Sequence, residues 1–93
     1  MDEEKFWKVC NLIFDERKRQ YKKWGNQRHD GMIWMSILME EVGEASQAAL
    51  HNIFGGDHIG TFTKEMIQVA AVAVQILENL LGGYLMSDVE KHD

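Results

Sequence analysis

The sequence predicts an all-α fold, a small antiparallel bundle of three main helices. Ninety-three residues with 45% hydrophobic content are enough for one domain over residues 1–93. The chain contains no proline, and apolar residues recur at helical spacing in three segments that glycine-containing loops separate. Because a chain this short buries only a modest share of its surface, we expect homo-oligomerisation to complete the bundle.

The first predicted helix covers about residues 2–24. Acidic residues occupy its first turn, and Lys22 and Lys23 occupy its last turn, as the helix dipole favours. Gly25 follows as the residue in a left-handed conformation that ends the helix. The apolar face is expected to comprise Phe6, Val9, Cys10, Ile13, Phe14, Arg17 and Tyr21.

The second predicted helix begins near Met32, with Asp30 as its N-cap, and extends to Leu50 or slightly beyond. Gly43 lies in its middle, where glycine costs about 1 kcal/mol relative to alanine. Close approach of a neighbouring helix or of a ligand would be one reason for a glycine there. The buried face is expected to comprise Ile33, Ile37, Leu38, Val42, Ala45, Ala48 and Ala49.

The third predicted helix begins after Thr61 or Thr63 and ends near Leu81, before two glycines. Its residues are apolar almost all round, so most of its surface must be covered. Two other helices hardly suffice for this, and we expect a second subunit to cover the rest, in a homodimer or a homotetramer. A short terminal turn is expected within residues 84–93.

Charge and hydropathy narrow the range of partners. The net charge of −5 makes the chain a poor candidate for binding a nucleic-acid polymer. The most apolar stretch, residues 69–74, is too short to span a bilayer, and the acidic first residues do not resemble a signal peptide. The single Cys10 excludes an intrachain disulfide. We therefore expect a cytoplasmic protein with no membrane partner.

Acidic and amide side chains form two clusters with a spacing of three residues. Glu41 and Glu44 belong to the second helix, and Glu65 and Gln68 belong to the third. Residues three apart lie on the same side of a helix, so antiparallel packing would bring four oxygens to one point. Carboxylates gathered there would repel unless one kept its proton or a cation neutralised them. All-oxygen ligation suits magnesium, manganese or calcium, and we hypothesise a metal site between the two helices.

Solvated surface charge is the competing interpretation of these clusters. Taken alone, residues 40–44 are typical of exposed helical glutamates. The second cluster favours the metal site, because Glu65 and Gln68 belong to a helix with few other polar residues, and buried carboxylates are rarely unpaired.

Four further residues combine aromatic rings with polar groups near the first loop. Trp24, Gln27, His29 and Trp34 are suited to stacking on a planar base and to bonding its edge. The indoles are equally suited to core packing. The sequence leaves both interpretations open.

These residues together resemble the MazG-like, all-α nucleoside triphosphate pyrophosphohydrolases. The resemblance covers nearly the whole chain, and it is carried by Trp24-Gly25-x-Gln27-x-His29, Trp34, Glu40-Glu41-Val42-Gly43-Glu44 and Glu65-x-x-Gln68. It implies hydrolysis of a (deoxy)nucleoside triphosphate to the monophosphate and pyrophosphate, with Mg²⁺, or Mn²⁺ as a substitute, at active sites in an oligomeric bundle. By position it implies the metal ligands Glu41, Glu44, Glu65 and Gln68, with Glu40 and Glu41 as the catalytic acids. Glu40 would either be an acid behind the metal ligands or help to orient the attacking water.

The chain departs from the family pattern at one position. Gln68 stands where the motif has aspartate, so the implied ligand set has three carboxylates rather than four. An amide oxygen ligates magnesium without supplying charge, and weaker metal binding is expected. The alternative is a non-catalytic helical module that binds nucleotides or assembles on the same scaffold.

Overall fold

A computed structural model describes residues 1–83 as a bundle of three helices, which confirms the predicted all-α class. The helices are α1 (Glu3–Trp24), α2 (Gly31–Phe54) and α3 (Phe62–Leu81). No strand occurs in this part of the chain. The predicted terminal turn falls within residues 84–93, outside the described residues.

The beginnings of α1 and α2 are fixed by aspartate caps. The Asp2 carboxylate accepts a hydrogen bond from the backbone N–H of Lys5 at 3.2 Å, and Asp30 accepts one from that of Ile33 at 2.9 Å. Each bond satisfies a backbone donor that has no partner within the helix. The predicted N-cap of α2 is confirmed.

The ends of the helices agree less closely with the predictions. Gly25 has φ 72° and ends α1 as predicted, but α2 continues past Leu50 to Phe54, where Gly55 with φ 91° stops it. Thr61, one of the two predicted N-caps, occupies the N-cap position of α3, but its side chain makes no capping hydrogen bond, because its hydroxyl donates to the His58 carbonyl at 2.7 Å instead.

The central element is α3, which packs against both other helices. It runs antiparallel to α2, since Trp34 near the start of α2 bonds Asn79 near the end of α3. The other helix, α1, crosses α3. Arg17 pairs with Glu78 at 2.8 Å, whereas its neighbour Glu16 lies within electrostatic range of Lys64. Glu78 and Lys64 are about 21 Å apart along the axis of α3. Because two adjacent residues of α1 interact with both of them, α1 must cross α3 rather than run alongside it.

A buried amide network joins the first loop to the α2–α3 pair. The Trp34 indole N–H donates to the Asn79 side-chain oxygen at 3.0 Å, and Trp34 is 1% exposed. The Asn79 amide in turn donates to the backbone carbonyls of Gln27 at 3.3 Å and Gln75 at 3.2 Å. One side chain therefore fixes the loop after α1 against the ends of both helices.

The described chain leaves much of its predicted core exposed. On α1, Phe6, Val9, Phe14 and Tyr21 are 44–60% exposed, and on α2, Ile33 and Val42 are 48% and 37% exposed. The buried apolar residues are Trp34, Ala45, Ala48, Ala71 and Val72. The expected α1 face was wrong at these positions, because α1 crosses α3 and contacts it only over a short stretch. The expected α2 face was wrong at Ile33 and Val42, because each lies about a quarter turn away from the buried α2 residues. No helix within residues 1–83 is long and apolar enough to cross a membrane.

Removal of the Asn79 amide should destabilise the fold. In Asn79→Ala the buried Trp34 N–H loses its acceptor, so the free energy of unfolding should fall by about 2–3 kcal/mol in chemical denaturation. Trp34→Phe should lower the free energy of unfolding less in the Asn79→Ala variant than in the wild type. The difference between the two losses, which is the coupling energy, should be at least about 0.5 kcal/mol. The control Asn11→Ala, which removes an exposed amide, should change stability by less than about 0.5 kcal/mol. Equal costs in both backgrounds would contradict the proposed network.

Candidate metal centre

Three carboxylates converge where the middle of α2 faces the start of α3. Glu41, Glu44 and Glu65 each place one oxygen within 4.8 Å of the others. The three-residue spacing turns Glu41 and Glu44 to one side of α2, and the antiparallel direction of α3 brings Glu65 level with them. The structure thus brings together three of the four residues predicted as metal ligands.

The position of Glu65 contributes to this arrangement. It lies in the first turn of α3. The N-terminal end of a helix carries a partial positive charge, which stabilises a nearby carboxylate. The α3 dipole therefore offsets part of the repulsion that Glu65 meets from the two α2 glutamates.

Two carboxylate oxygens in the cluster are buried without a hydrogen bond. Glu41 Oε2 and Glu65 Oε2 accept none from any described residue. A buried polar oxygen without a partner is costly, and most such atoms in folded proteins are satisfied. A divalent cation would satisfy both oxygens at once. Oxygen-only donors suit magnesium, manganese or calcium, so the residues present fit the implied metal.

The pKa of the Glu41 carboxyl reflects its burial and the negative charges of the carboxylates around it. Burial raises the pKa of the Glu41 carboxyl above its ordinary value, and the negative charges of Glu44 and Glu65 raise that pKa further. Glu16 and Glu40 act in the same direction. Without a cation, the cluster therefore favours keeping a proton on Glu41.

A cavity of about 440 Å³ opens beside the cluster. Five of the residues singled out by the sequence line it: Trp24, Gln27, Trp34, Glu41 and Gln68. Gln68, the fourth predicted ligand, is thus on the cavity wall next to the carboxylates.

The other predicted site residues lie around the edge. Glu40 is exposed and outside the three-carboxylate cluster, although its charge reaches Glu41. His29 packs edge-on against Trp34, with ring centroids 4.9 Å apart, and does not line the cavity. Trp24 lines the cavity and is 51% exposed, whereas the Trp34 ring on the cavity wall is buried.

Two basic side chains of α1, Arg19 and Lys23, line the same cavity as Glu41. The Lys23 ammonium lies 4.7 Å from the centre of the Trp24 ring, and the Arg19 guanidinium carbon lies 6.0 Å from it. The cavity therefore combines basic side chains around an aromatic ring with the Glu41 carboxylate, and the Arg19 charge is paired with Glu16.

Some residues near the site were missed in the sequence. Glu16 on α1 accepts two bonds from Arg19, at 2.8 and 2.6 Å, and one from Gln20 at 3.2 Å. Its hydrogen bond with Arg19 lowers the pKa of Glu16. Gln20 and Gln75 are buried and line the cavity. The spacing of Glu16 from Arg19 and Gln20 could have indicated one helix face, but nothing in it placed that face against α2.

No family model, no curated protein and no solved structure matches the chain. The likeness to MazG-like enzymes therefore stays a prediction from the motif residues.

Magnesium or manganese should stabilise the folded chain through this cluster. Free cation at one hundred times its dissociation constant should add about 2.7 kcal/mol to the free energy of unfolding, because only the folded state gathers the ligands. Thermal unfolding with and without cation measures the gain. Glu65→Gln should lose most of it, and Glu4→Gln, which changes an exposed acid in the first turn of α1, should keep it. An equal gain in both variants would place the bound cation elsewhere.

In the presence of a chelator, Glu41→Gln should stabilise the protein at pH 7. The folded-state pKa of Glu41 is raised, so its stability contribution is complete below the ordinary glutamate value of 4.5 and is lost as the pH rises through the folded-state pKa. Glutamine does not titrate, and the advantage of the variant should therefore grow with pH and vanish below about pH 4.5. Denaturation across this range checks the sign. A variant less stable than the wild type at pH 7 would contradict repulsion in the cluster.

Proposed function

We propose that this chain is a divalent-cation-dependent nucleotide pyrophosphohydrolase, which converts a (deoxy)nucleoside triphosphate to the monophosphate and pyrophosphate. The observation that carries the proposal is the cluster of Glu41, Glu44 and Glu65, with two buried oxygens that accept no hydrogen bond from the described residues. Mg²⁺ is the proposed cofactor, with Mn²⁺ as a substitute. The motif resemblance supports the same reaction.

The cavity beside the cluster supports a nucleotide as the ligand. Its volume of about 440 Å³ falls in the range of small-molecule sites. The Trp24 ring offers a stacking surface, and the Gln27 amide offers groups for the edge of a base. Lys23 would supply positive charge to the phosphate oxygens, and Arg19 would add to it by exchanging its bonds with Glu16 for bonds with a phosphate.

The acidic residues have two proposed roles, holding the cation and positioning the attacking water. Glu41, Glu44 and Glu65 would hold the cation, with the Gln68 amide oxygen as a neutral fourth ligand. A bound cation supplies charge neutralisation on the phosphate oxygens and lowers the pKa of a coordinated water. Glu40 would orient the attacking water. The oxygen of the water then bonds to the α-phosphorus, and the anhydride bond between the α- and β-phosphates breaks to release pyrophosphate. A carboxylate takes the proton from the water.

Gln68 supports a second candidate function. Three carboxylates neutralise a divalent cation and its phosphates less completely than four would, so the chain can bind a nucleotide without hydrolysing it. The second candidate is therefore a non-catalytic module that binds nucleotides or assembles on this scaffold. In either case we propose a homodimer or a homotetramer, which the exposed apolar faces of α1 and α2 support.

Release of pyrophosphate from a panel of nucleoside triphosphates with Mg²⁺ tests the first candidate. We expect turnover of at least one nucleotide, and a loss of at least about 100-fold in Glu41→Gln, because the variant loses a charged ligand of the cation that would stabilise the transition state. Glu4→Gln should retain the wild-type rate. Equal rates in the two variants would contradict the proposed site.

An inert panel would favour the second candidate if calorimetry still detected nucleotide binding. Gln68→Asp then separates the two explanations. Turnover that appears only in Gln68→Asp would show that the missing fourth carboxylate explains the inactivity of the wild type. If Gln68→Asp were also inactive, the function would be that of the non-catalytic binding module.

A further inference from the structure

The outer face of α2 carries a row of exposed residues that follows a heptad pattern. We call this the outer row, and it consists of Met32, Ser36, Met39, Gly43, Ser46, Leu50 and Ile53. The steps alternate between four and three residues, which gives the mean period of 3.5 that keeps a seam facing a second helix. All seven residues are exposed. The pattern is that of a helix-packing seam without its partner.

This face lies opposite the one that packs on α3. The α2 residues buried in the bundle, among them Trp34, Ala45 and Ala48, lie about half a turn from the outer row. The outer row contains no charged residue, although 27% of the chain is charged. A solvated helix face would be expected to carry charges, and their absence indicates that this face is covered.

The exposed area is large enough for a stable interface. Met32 is 81% exposed, Ile53 is 73% exposed and Leu50 is 52% exposed, and Phe54 beside the row is 81% exposed. With Met35, Met39 and Val42, these side chains expose on the order of 800 Å², which is what one partner contributes to an interface of standard size.

The distribution of side-chain sizes favours a second copy of the same chain. The small residues Gly43 and Ser46 occupy the centre of the row, and the other members are large except for Ser36. A two-fold interface must be complementary to itself. An antiparallel pair about a two-fold axis between Gly43 and Ser46 would set Met39 of one copy against Leu50 of the other. The helices would then approach most closely where the side chains are smallest.

Gly43 fits this arrangement. A Cβ atom placed there would meet no described residue within 4 Å, so packing within residues 1–83 gives no reason for a glycine. Glycine in the middle of a helix costs about 1 kcal/mol relative to alanine, and close contact with a second helix would compensate for that cost.

We infer that the outer row of α2 is the interface between two copies of this chain, packed as an antiparallel α2–α2 pair. The inference does not rest on the proposed enzymatic activity. The outer row lies on the side of α2 opposite Glu41, so each copy keeps its own carboxylate cluster and cavity open.

The N-terminal half of α1 is the competing surface. Phe6, Trp7, Val9 and Leu12 are 44–57% exposed. They surround the helix and alternate with charged residues such as Lys5 and Lys8, so they form no single uncharged seam. This surface serves as the matched comparison in the experiment.

Sedimentation equilibrium of the full chain tests the inference. The wild type should have the mass of a dimer or of a larger even-numbered assembly. Leu50→Lys and Met39→Lys should each weaken the α2–α2 contact by at least about 100-fold, because a lysine charge would be buried in the seam. Trp7→Lys, which adds the same charge on α1, should leave that contact intact. A monomeric wild type, or an assembly that only Trp7→Lys disrupts, would overturn the inference.

Cysteine cross-linking tests the direction of the pair without disturbing it. In a Cys10→Ser background, Ser46→Cys should cross-link two copies on oxidation, because residue 46 lies close to the two-fold axis. Met32→Cys should not, since the two cysteines would be about 35 Å apart in an antiparallel pair. Cross-linking at both positions would indicate a parallel pair. Cross-linking at neither position would show that the two α2 helices are not in contact. Either result would overturn the inference.

Discussion

Repulsion among three carboxylates at the α2–α3 junction is the constraint on which the proposed function depends. Glu41, Glu44 and Glu65 are held with oxygens within 4.8 Å of one another, and two of their oxygens accept no hydrogen bond from the described residues. A helix pair selected for stability alone would separate such groups or pair them with cations. The raised pKa of Glu41 has the same cause, since burial and its acidic neighbours both disfavour its charged form. A bound divalent cation would turn this unfavourable arrangement into a favourable one.

The rest of the fold keeps these charges in place and surrounds them with complementary groups. At the far end of the α2–α3 pair, the Asn79 network holds the helices and the first loop together. The crossing helix α1 brings Arg19 and Lys23 to the cavity that Glu41 and Gln68 also line. Acidic and basic side chains from different helices therefore share one cavity. This is the combination of charges that the proposed metal-dependent reaction of a nucleoside triphosphate would use.

Local features of the sequence predicted the helices and the convergence of the acidic residues. Asp30 caps α2 through a bond three residues away, and the i, i+3 spacing alone aligns Glu41 with Glu44. Non-local features were not predictable. The period of the apolar residues identified one face of α1, but it could not predict the crossing angle between α1 and α3. Phe6 and Val9 were therefore expected in the core, whereas they lie exposed. The same angle decides that Glu16 approaches Glu41, which no spacing within α1 can indicate.

Diffraction from crystals soaked with Mn²⁺, recorded at a wavelength where manganese scatters anomalously, tests the metal centre most directly. We expect one strong anomalous peak between Glu41, Glu44 and Glu65, with carboxylate oxygens of all three residues in its coordination shell. A peak at any other acidic group, or carboxylates turned away from one another with no peak between them, would contradict it.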